Sequence, residues 1–208
     1  MLDDGFQHLK LKRNLDIVLI DATNPFGNRA LMPRGILREP VSALARAQVI
    51  VLTRVDLANN CDAIKDQVKK ANPKALVVEA IHQPTGVVSL KDKKVSDTKI
   101  LSGQKICSFS TIGNPDAFVG ALEKLGAKVV KNFSFMDHHT YQENDIRAIA
   151  GYCRKENVQT LLTTQKDAVK LKSLAPLFDP EINVFYLDVK ISVVQNEGKL
   201  LERINHLS

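Results

Sequence analysis

The chain has 208 residues, of which 44% are hydrophobic and 25% are charged, and its formal net charge is +6. This composition supplies enough apolar material for a core and excludes wholesale disorder. The basic balance favours an anionic partner, such as a phosphate ester, an acidic membrane surface or nucleic acid, and charge alone does not choose among them.

The cysteines and the first residues indicate the compartment. Cys61, Cys107 and Cys153 stand far apart without C-x-x-C spacing, which argues against a disulfide framework and against a zinc site. No apolar run approaches the roughly 18 residues that a bilayer-spanning helix needs. Asp3 and Asp4 stand where a signal peptide would be basic and then apolar. We therefore expect a cytoplasmic protein.

The hydrophobic pattern predicts strands that alternate with helices. In chain order, it predicts strands at 16–20, 48–53, 75–80, 105–110, from 128, at 160–163 and at 184–189, and helices at 62–71, 114–126, 140–156 and 166–174. This alternation indicates βαβ units, a mainly parallel sheet and the α/β class. Ligands bind such sheets outside the carboxyl ends of the strands, so the loops that follow the strands are the candidate site.

The domain organisation follows from a weaker pattern after the third predicted strand, where lysines alternate with polar residues. We expect a linker at 84–102, with a short strand pair, between a first domain at 1–83 and a smaller α/β domain at 103–208. Met1–Gly5 reads like the end of a buried strand without its first half, so we expect a truncated N-terminus.

Two groups of charged residues in the first domain suit phosphate chemistry. Asp3 and Asp4 can both serve one site if the strand ends there, which Gly5 permits, and Mg²⁺ prefers such oxygen ligands. The loop 26–40 carries three arginines, which can grip phosphate with paired hydrogen bonds. A solvated turn and ordinary surface arginines remain the alternatives.

Two further groups lie in the second domain. In Asp137-His138-His139, a helix capped by Thr140 would follow the histidines, and its dipole would keep a histidine neutral and able to accept a proton. Asp137 would orient that histidine, whereas polar loop histidines are the alternative. In the segment 163–170, Thr164 is a candidate cap and two lysines lie one turn apart, although most such lysines are simply exposed.

One short element suggests a different class of protein. Thr53-Arg54-Val55-Asp56 is similar to the element with which GTPases read guanine, but a strand-to-helix turn gives the same residues. No G-x-x-x-x-G-K-[ST] loop occurs in the 208 residues, so the chain does not hold a triphosphate in the usual way.

Taken together, the segments resemble the tetraacyldisaccharide 4'-kinase family of lipid A synthesis. In chain order, the matching segments are Leu2-Asp3-Asp4-Gly5-Phe6-Gln7-His8, Phe26-Gly27-Asn28, Leu37-Arg38-Glu39-Pro40, Ile112-Gly113-Asn114-Pro115, Asp137-His138-His139 and Thr163-Thr164-Gln165-Lys166-Asp167-Ala168-Val169-Lys170. The chain departs from the family's frequent residues at Arg29, Arg34, Ile36, Thr111 and Gln165. These departures put details of the acceptor loop in doubt, but not the family.

The resemblance implies an incomplete P-loop-kinase-like parallel sheet domain followed by a smaller α/β, Rossmann-like domain. It implies ATP and Mg²⁺ as cofactors and transfer of the γ-phosphate to the 4'-hydroxyl of tetraacyldisaccharide 1-phosphate, giving lipid IVA. It places the protein in the cytoplasm, peripheral to the inner membrane of a Gram-negative-type bacterium, with the lipid A precursor and the membrane face as partners and no nucleic acid.

The resemblance also assigns site residues. It implies magnesium ligands at Asp3, Asp4 and Glu39, substrate contacts at Gln7, His8, Asn28 and Arg38, and catalytic support from His138 and Asp137 for a base in a missing N-terminal part. No cofactor-binding residue is assigned, because the P-loop is absent from this chain. We expect the 208 residues to be inactive alone. The alternatives are a non-catalytic α/β binding module for anionic ligands and a GTPase-like nucleotide-binding domain.

Overall fold

The computed structural model describes residues 2, 4–137 and 139–206. The chain divides into two compact units: unit 1 contains residues 1–82 and 191–208, and unit 2 contains residues 83–190. Residues 103–208 were predicted to form one domain, whereas the structure groups 191–208 with unit 1. No helix in the described ranges has the length and apolar character needed to cross a membrane.

Unit 1 is built on parallel strands. Its elements are β1 (Ile17–Asp21), a 3₁₀ turn (Val41–Arg46), β2 (Val49–Thr53), a second 3₁₀ turn (Val55–Leu57), α1 (Cys61–Ala71) and the first part of β3 (Leu76–Ser89). β2 lies between β1 and β3, with Ile17 opposite Val49 and Val49 opposite Leu76. The carboxyl ends of β1 and β2 therefore meet at one edge of the sheet.

The core of unit 1 follows from the alternation of side chains along β2. Every residue of β2 is buried. Ile50 and Leu52 face α1, where Ile64 and Val68 form its apolar stripe. Val49 and Val51 point to the opposite face. α1 begins at Cys61 because the Asn60 side chain accepts a hydrogen bond from the Ala63 N–H at 3.0 Å.

Unit 2 is a second parallel α/β arrangement. Its elements are the rest of β3, β4 (Val95–Ser96), a 3₁₀ turn (Thr98–Leu101), β5 (Lys105–Ser110), α2 (Pro115–Lys124), β6 (Lys128–Ser134), α3 (Glu143–Lys155), β7 (Thr160–Thr164), α4 (Gln165–Lys170), a 3₁₀ turn (Ala175–Leu177) and the first part of β8 (Asn183–Gln195). The strand order is β6-β5-β7-β8, and these pairs are parallel. β4 pairs antiparallel with β3. α5 (Glu197–Asn205) follows β8 and belongs to unit 1.

β5 is the centre of the core of unit 2. Cys107 and Phe109 pack on one face with the buried side of α3. Ile106 packs on the other face with Phe118 and Leu122 of α2. The two faces of one buried strand thus hold two helices, as a mainly parallel sheet requires.

The structure confirms the predicted α/β class and most predicted elements, and it corrects several boundaries. β3 and β8 both extend beyond their predicted ends, and α5 was not predicted. In β3, Pro84 and Gly86 weaken the strand pattern, because proline and glycine are uncommon inside strands. Gly86 suits the close approach of β4, since a Cβ would lie 3.1 Å from the Ser96 carbonyl oxygen.

The predicted capping box at Thr140 and Glu143 is wrong. Gln142 caps α3 instead, and its backbone N–H donates to Asp145 at 2.8 Å. The Asp145 carboxylate also lies 2.8 Å from Nε2 of His139, so it serves the cap and the histidine together. This double role favours the later start of the helix.

Candidate functional site

The segment Asp4–His8 is held in place by two arginines of unit 1. Arg13 donates to the backbone oxygens of Gly5 and His8 at 2.8 and 2.6 Å. The guanidinium of Arg46 lies 4.4 Å from the centre of the Phe6 ring, a cation–π arrangement. Gln7 and His8 remain exposed. The segment therefore has a defined backbone and presents two polar side chains to solvent.

The same segment is joined to the loop before β2 by ion pairs. Arg38 is paired with Asp4, and both side chains are more than half exposed. Arg46 is paired with Glu39 at 2.6 Å. Because Arg46 also contacts Phe6, one arginine connects Glu39 to the Asp4–His8 segment.

Residues 28–37 form a compact loop with its own hydrogen bonds. Asn28 donates through Nδ2 to the Arg34 carbonyl oxygen at 2.8 Å, and its Oδ1 accepts from the Ala30 N–H at 3.1 Å. Leu31 and Leu37 form an isolated bridge across the loop. Both ends of the Asn28 amide thus stabilise the loop.

A charged group lies at the carboxyl ends of β1 and β2. Arg54, which follows β2 with φ 56°, donates to Asp21 of β1 at 2.7 Å. Burial and the positive charge of Arg54 lower the pKa of His82, although Asp21 and Asp56 oppose this. The segment 53–56 therefore forms a strand-to-helix turn whose arginine is held by an aspartate. We find this group where ligands bind α/β sheets.

In unit 2, the loop that carries Asp137 is fixed at both sides. Asp137 pairs with Lys166 at 3.0 Å, and the His139 carbonyl oxygen accepts from Lys170 at 3.3 Å. The His139 ring stacks on Phe135 with centroids 4.8 Å apart. Partial burial acts to raise the pKa of Asp145, but hydrogen bonds from His139 and the Gln142 N–H outweigh it and lower that pKa. The carboxylate stays ionised beside the histidine.

The buried carboxylate of Asp167 contacts the residues at the carboxyl ends of β5 and β7 in unit 2. Asp167 is fully buried at the start of α4 and accepts from the Thr111 N–H at 3.0 Å and from Thr164 Oγ1 at 2.7 Å. The Thr111 hydroxyl donates to the other carboxylate oxygen, and Lys170 donates to that hydroxyl at 2.5 Å. Burial, and then the negative charge of Asp167, raise the pKa of the nearby Tyr141 hydroxyl.

The chain matches one protein-family model over almost its whole length. The model of one family, described as LpxK, tetraacyldisaccharide-1-P 4'-kinase, matches residues 1–207. The chain belongs to this family. Relatives of known name agree with the assignment. A tetraacyldisaccharide 4'-kinase of Halothermothrix orenii is 38% identical over 209 residues, with 93% of this chain and 54% of the relative covered.

A second tetraacyldisaccharide 4'-kinase, from Syntrophus aciditrophicus, is 35% identical and covers 93% of this chain and 53% of its own length. The chain thus spans about half the length of the LpxK relatives it matches. A crystal structure described as an "apo" form of LpxK from Aquifex aeolicus in complex with ATP matches with a TM-score of 0.60 and 28% identity. It covers 99% of this chain and 56% of that one. The fold is the α/β, P-loop-kinase-like fold of LpxK, as predicted.

The structure brings together some of the residues that the LpxK resemblance assigns. Asp4 and Arg38 form an ion pair, while Arg46 joins Glu39 to Phe6 of the same segment. Asp3 and His138 lie outside the described residues. Gln7 and His8 are exposed, and Asn28 bonds within its own loop. Their roles in binding remain predictions.

Of the three residues that the LpxK resemblance assigns to magnesium, the structure describes Asp4 and Glu39. Across residues 2, 4–137 and 139–206, no three or more His, Cys, Asp or Glu side chains form a group that could hold a metal ion. The carboxylates of Asp4 and Glu39 each accept from a different arginine. A magnesium role for these two residues therefore stays a prediction.

Several residues of these sites were not predicted. Asp21, His82 and Arg46 acquire their contacts with Arg54 or Phe6 through pairings between distant segments, and no local motif marks them. Asp145 has local contacts, with Gln142 and His139, and was missed because Thr140 and Glu143 have the same spacing. Asp167 was predicted only as part of a matching segment. Its position three residues after Thr164, a capping residue at a strand end, is the one local signal that favours an anchored carboxylate.

Proposed function

We propose that this chain is part of a tetraacyldisaccharide 4'-kinase, which uses ATP to phosphorylate the 4'-hydroxyl of tetraacyldisaccharide 1-phosphate and gives lipid IVA. The match of the family model to residues 1–207 is the observation that carries this proposal. The ATP of the Aquifex aeolicus LpxK complex supports ATP as the phosphate donor.

The first unit would contribute the acceptor side of the reaction. Arg38 lies at the Asp4 carboxylate, and a guanidinium has further N–H donors that suit an anionic phosphate ester. Gln7 and His8 are exposed on a segment whose backbone is fixed by Arg13, so they can present polar groups to the sugar without a large ordering cost. Asn28 would act by holding its loop in shape.

Magnesium usually binds through one or two protein carboxylates and the phosphates of the nucleotide. Asp3, Asp4 and Glu39 would supply the carboxylates, and the ion would neutralise charge on the transferred phosphate. Asp4 is paired with Arg38, and Glu39 with Arg46. These ion pairs support the magnesium role by orienting the two carboxylates.

Unit 2 would contribute the loop 137–139. Lys166 pairs with the Asp137 carboxylate and Lys170 donates to the His139 carbonyl oxygen, so a lysine contacts the residue on each side of His138 in the sequence. We propose that His138 supports the base that receives the proton of the 4'-hydroxyl, and that Asp137 aids it. The acceptor would be reached at the cytoplasmic face of the inner membrane.

A chimaeric enzyme tests this proposal. The matching region of the Halothermothrix orenii kinase, which is 54% of its length, is replaced by this chain, and ATP-dependent phosphorylation of tetraacyldisaccharide 1-phosphate is measured in detergent. We expect the chimaera to form lipid IVA, and Asp4→Asn to reduce kcat by roughly a hundredfold. The matched control Asp66→Asn, an exposed position on α1, should leave kcat unchanged.

The 208 residues alone are expected to give no product, because the sequence contains no P-loop. A folded chimaera without activity would contradict the kinase proposal and favour a non-catalytic module that binds anionic ligands. ATP-dependent product from the isolated chain would contradict the proposal that it is inactive alone.

A further inference from the structure

The loop before β2 exposes a cluster of large apolar side chains. Leu31, Met32 and Ile36 are 46%, 64% and 57% exposed. We call residues 31–36 the apolar tip. The bridge between Leu31 and Leu37 closes it, so the backbone is held together where the apolar tip begins and ends. Single exposed apolar residues are normal on protein surfaces, but a cluster of exposed apolar side chains marks a surface that contacts another protein or a membrane.

The backbone of the apolar tip is well ordered. The Met32 N–H donates to the Leu37 carbonyl oxygen at 2.9 Å, and the Gly35 N–H donates to that of Leu31 at 3.1 Å. A Cβ at Gly35 would lie 2.2 Å from both the Ala30 carbonyl oxygen and Asn28 Oδ1, so the loop leaves room only for glycine. The exposure is thus a property of a fixed conformation, and contact with a partner costs little ordering.

The charged residues of the apolar tip and of its flanks from Ala22 to Arg38 are basic, and the acidic residues that bound this stretch, Asp21 and Glu39, are paired with Arg54 and Arg46. Arg29, Arg34 and Arg38 flank or lie within the apolar tip, and no acidic residue occurs from Ala22 to Arg38. Arg38 is neutralised by Asp4, whereas Arg29 donates to the uncharged Gln67 at 2.7 Å. Among the described residues, Arg34 has no ion-pair partner. Apolar side chains beside uncompensated arginines suit the interface of an anionic lipid bilayer.

We propose that the apolar tip inserts Met32, Ile36 and Leu31 into the interface of an anionic bilayer while Arg29 and Arg34 contact lipid headgroups. The proposal rests on the proposed function in that the kinase would take its lipid acceptor from the membrane that the apolar tip contacts. The apolar chains supply affinity for any bilayer, and the arginines add the preference for negative charge.

Flotation of the 208-residue chain with vesicles tests this surface without ATP or turnover. The vesicles contain phosphatidylcholine alone or phosphatidylcholine with roughly one third phosphatidylglycerol. We expect stronger binding to the anionic vesicles. Met32→Ser with Ile36→Ser should weaken partition by about tenfold or more on both. Arg34→Gln should weaken it about fivefold on anionic vesicles only.

Matched controls come from the hairpin of β3 and β4. Val95 is 65% exposed and Lys91 is also exposed, so Val95→Ser and Lys91→Gln change the same side-chain types elsewhere. Both should bind like the original chain, and circular dichroism checks that all variants are folded. Equal binding to both vesicle types, or unchanged binding of the tip variants, would overturn the proposal.

The kinase assay separates this proposal from the proposed function. Chimaeric enzyme that phosphorylates the acceptor in detergent while the chain fails to bind vesicles would remove only the membrane contact. Vesicle binding that depends on the apolar tip, with an inactive chimaera, would leave the membrane contact and remove the kinase assignment.

Discussion

The backbone N–H of Thr111 lies 3.0 Å from the carboxylate of Asp167, although 56 positions separate the two residues. Thr111 follows β5 directly, and Asp167 lies in the first turn of α4, after β7. One carboxylate therefore closes the ends of two neighbouring strands in unit 2. Because Lys170 bonds to both Thr111 and the His139 carbonyl oxygen, the same group also reaches the loop 137–139.

Asp167→Ala should destabilise unit 2 by about 3 kcal/mol. It leaves the buried Thr111 N–H and the partly buried Thr164 hydroxyl without the carboxylate that accepts from them. Urea unfolding followed by circular dichroism measures the loss. Glu123→Ala, at an exposed position of α2, is the control and should change the free energy of unfolding by less than about 0.5 kcal/mol. Equal stability of the two variants would show that the Asp167 contacts contribute nothing.

Asn72 predicts a similar loss in unit 1. Its buried side chain donates to the carbonyl oxygens of Leu44 and Ala47, each at 2.8 Å, and caps the turn after α1. Asn72→Ala should reduce the free energy of unfolding by about 2 kcal/mol, because the buried Ala47 carbonyl oxygen loses its donor, whereas that of Leu44 keeps the Ala47 N–H at 3.0 Å. The exposed Asn59 provides the control. A loss at Asn72→Ala no larger than that of Asn59→Ala would contradict the prediction.

Replacement of Arg46 should loosen the segment Asp4–His8, which carries the candidate substrate contacts Gln7 and His8. Arg46→Lys keeps the charge but loses the flat guanidinium over Phe6 and the geometry at Glu39. Hydrogen exchange of the His8 amide, which donates to the Gly5 carbonyl oxygen, should become about tenfold faster. Arg147→Lys, in the exposed pair with Glu143 of unit 2, should leave this amide unchanged. Unaltered exchange in Arg46→Lys would mean that Arg13 alone holds the segment.

His82 predicts a pH dependence of stability. Its pKa in the folded chain is lowered from 6.5 by burial and by Arg54. The folded state therefore binds a proton less readily than the unfolded state, so stability is present above about pH 6.5 and decreases as the pH falls through the lowered pKa. His82→Gln should flatten the pH dependence of the unfolding free energy in this window. His206→Gln, at an exposed position, should not. A slope that persists in His82→Gln would assign the effect to other groups.

The sequence supports prediction of those features that depend on neighbours along the chain. The apolar runs of β2 and β5 correctly predict buried strands, and Asn114 before Pro115 correctly predicts the start of α2. The run of β1 correctly predicts a strand, but its predicted burial is wrong, because Ile17 and Leu19 are exposed. The Thr164 cap is confirmed as well, since its hydroxyl accepts from the Asp167 N–H at 3.2 Å. In each case the physical cause is local.

Features that depend on distant segments could not be predicted in this way. The pairs of Arg46 with Phe6 and of Arg54 with Asp21 exist only once the loops and strands have assembled. The start of α3 was misplaced because Thr140 and Glu143 have the right spacing for a cap, whereas the contact of Asp145 with His139 decides the outcome. α5 was missed since Gly198 in its first turn weakens the helix pattern.

The route of the chain through the two units sets an order for folding during synthesis. Domains usually fold from the N-terminus as the chain emerges from the ribosome. Unit 1 here includes the segment after residue 190, where Asn196 donates to the Val77 carbonyl oxygen at 2.9 Å and Arg203 donates to that of Gln48 at 2.8 Å. Unit 2 is continuous along residues 83–190, so all of its residues are synthesised before the last residues of unit 1. β1, β2 and the first part of β3 are therefore synthesised before the segment that completes their contacts in unit 1, and we expect a chaperone that shields these strands during translation to act in this interval.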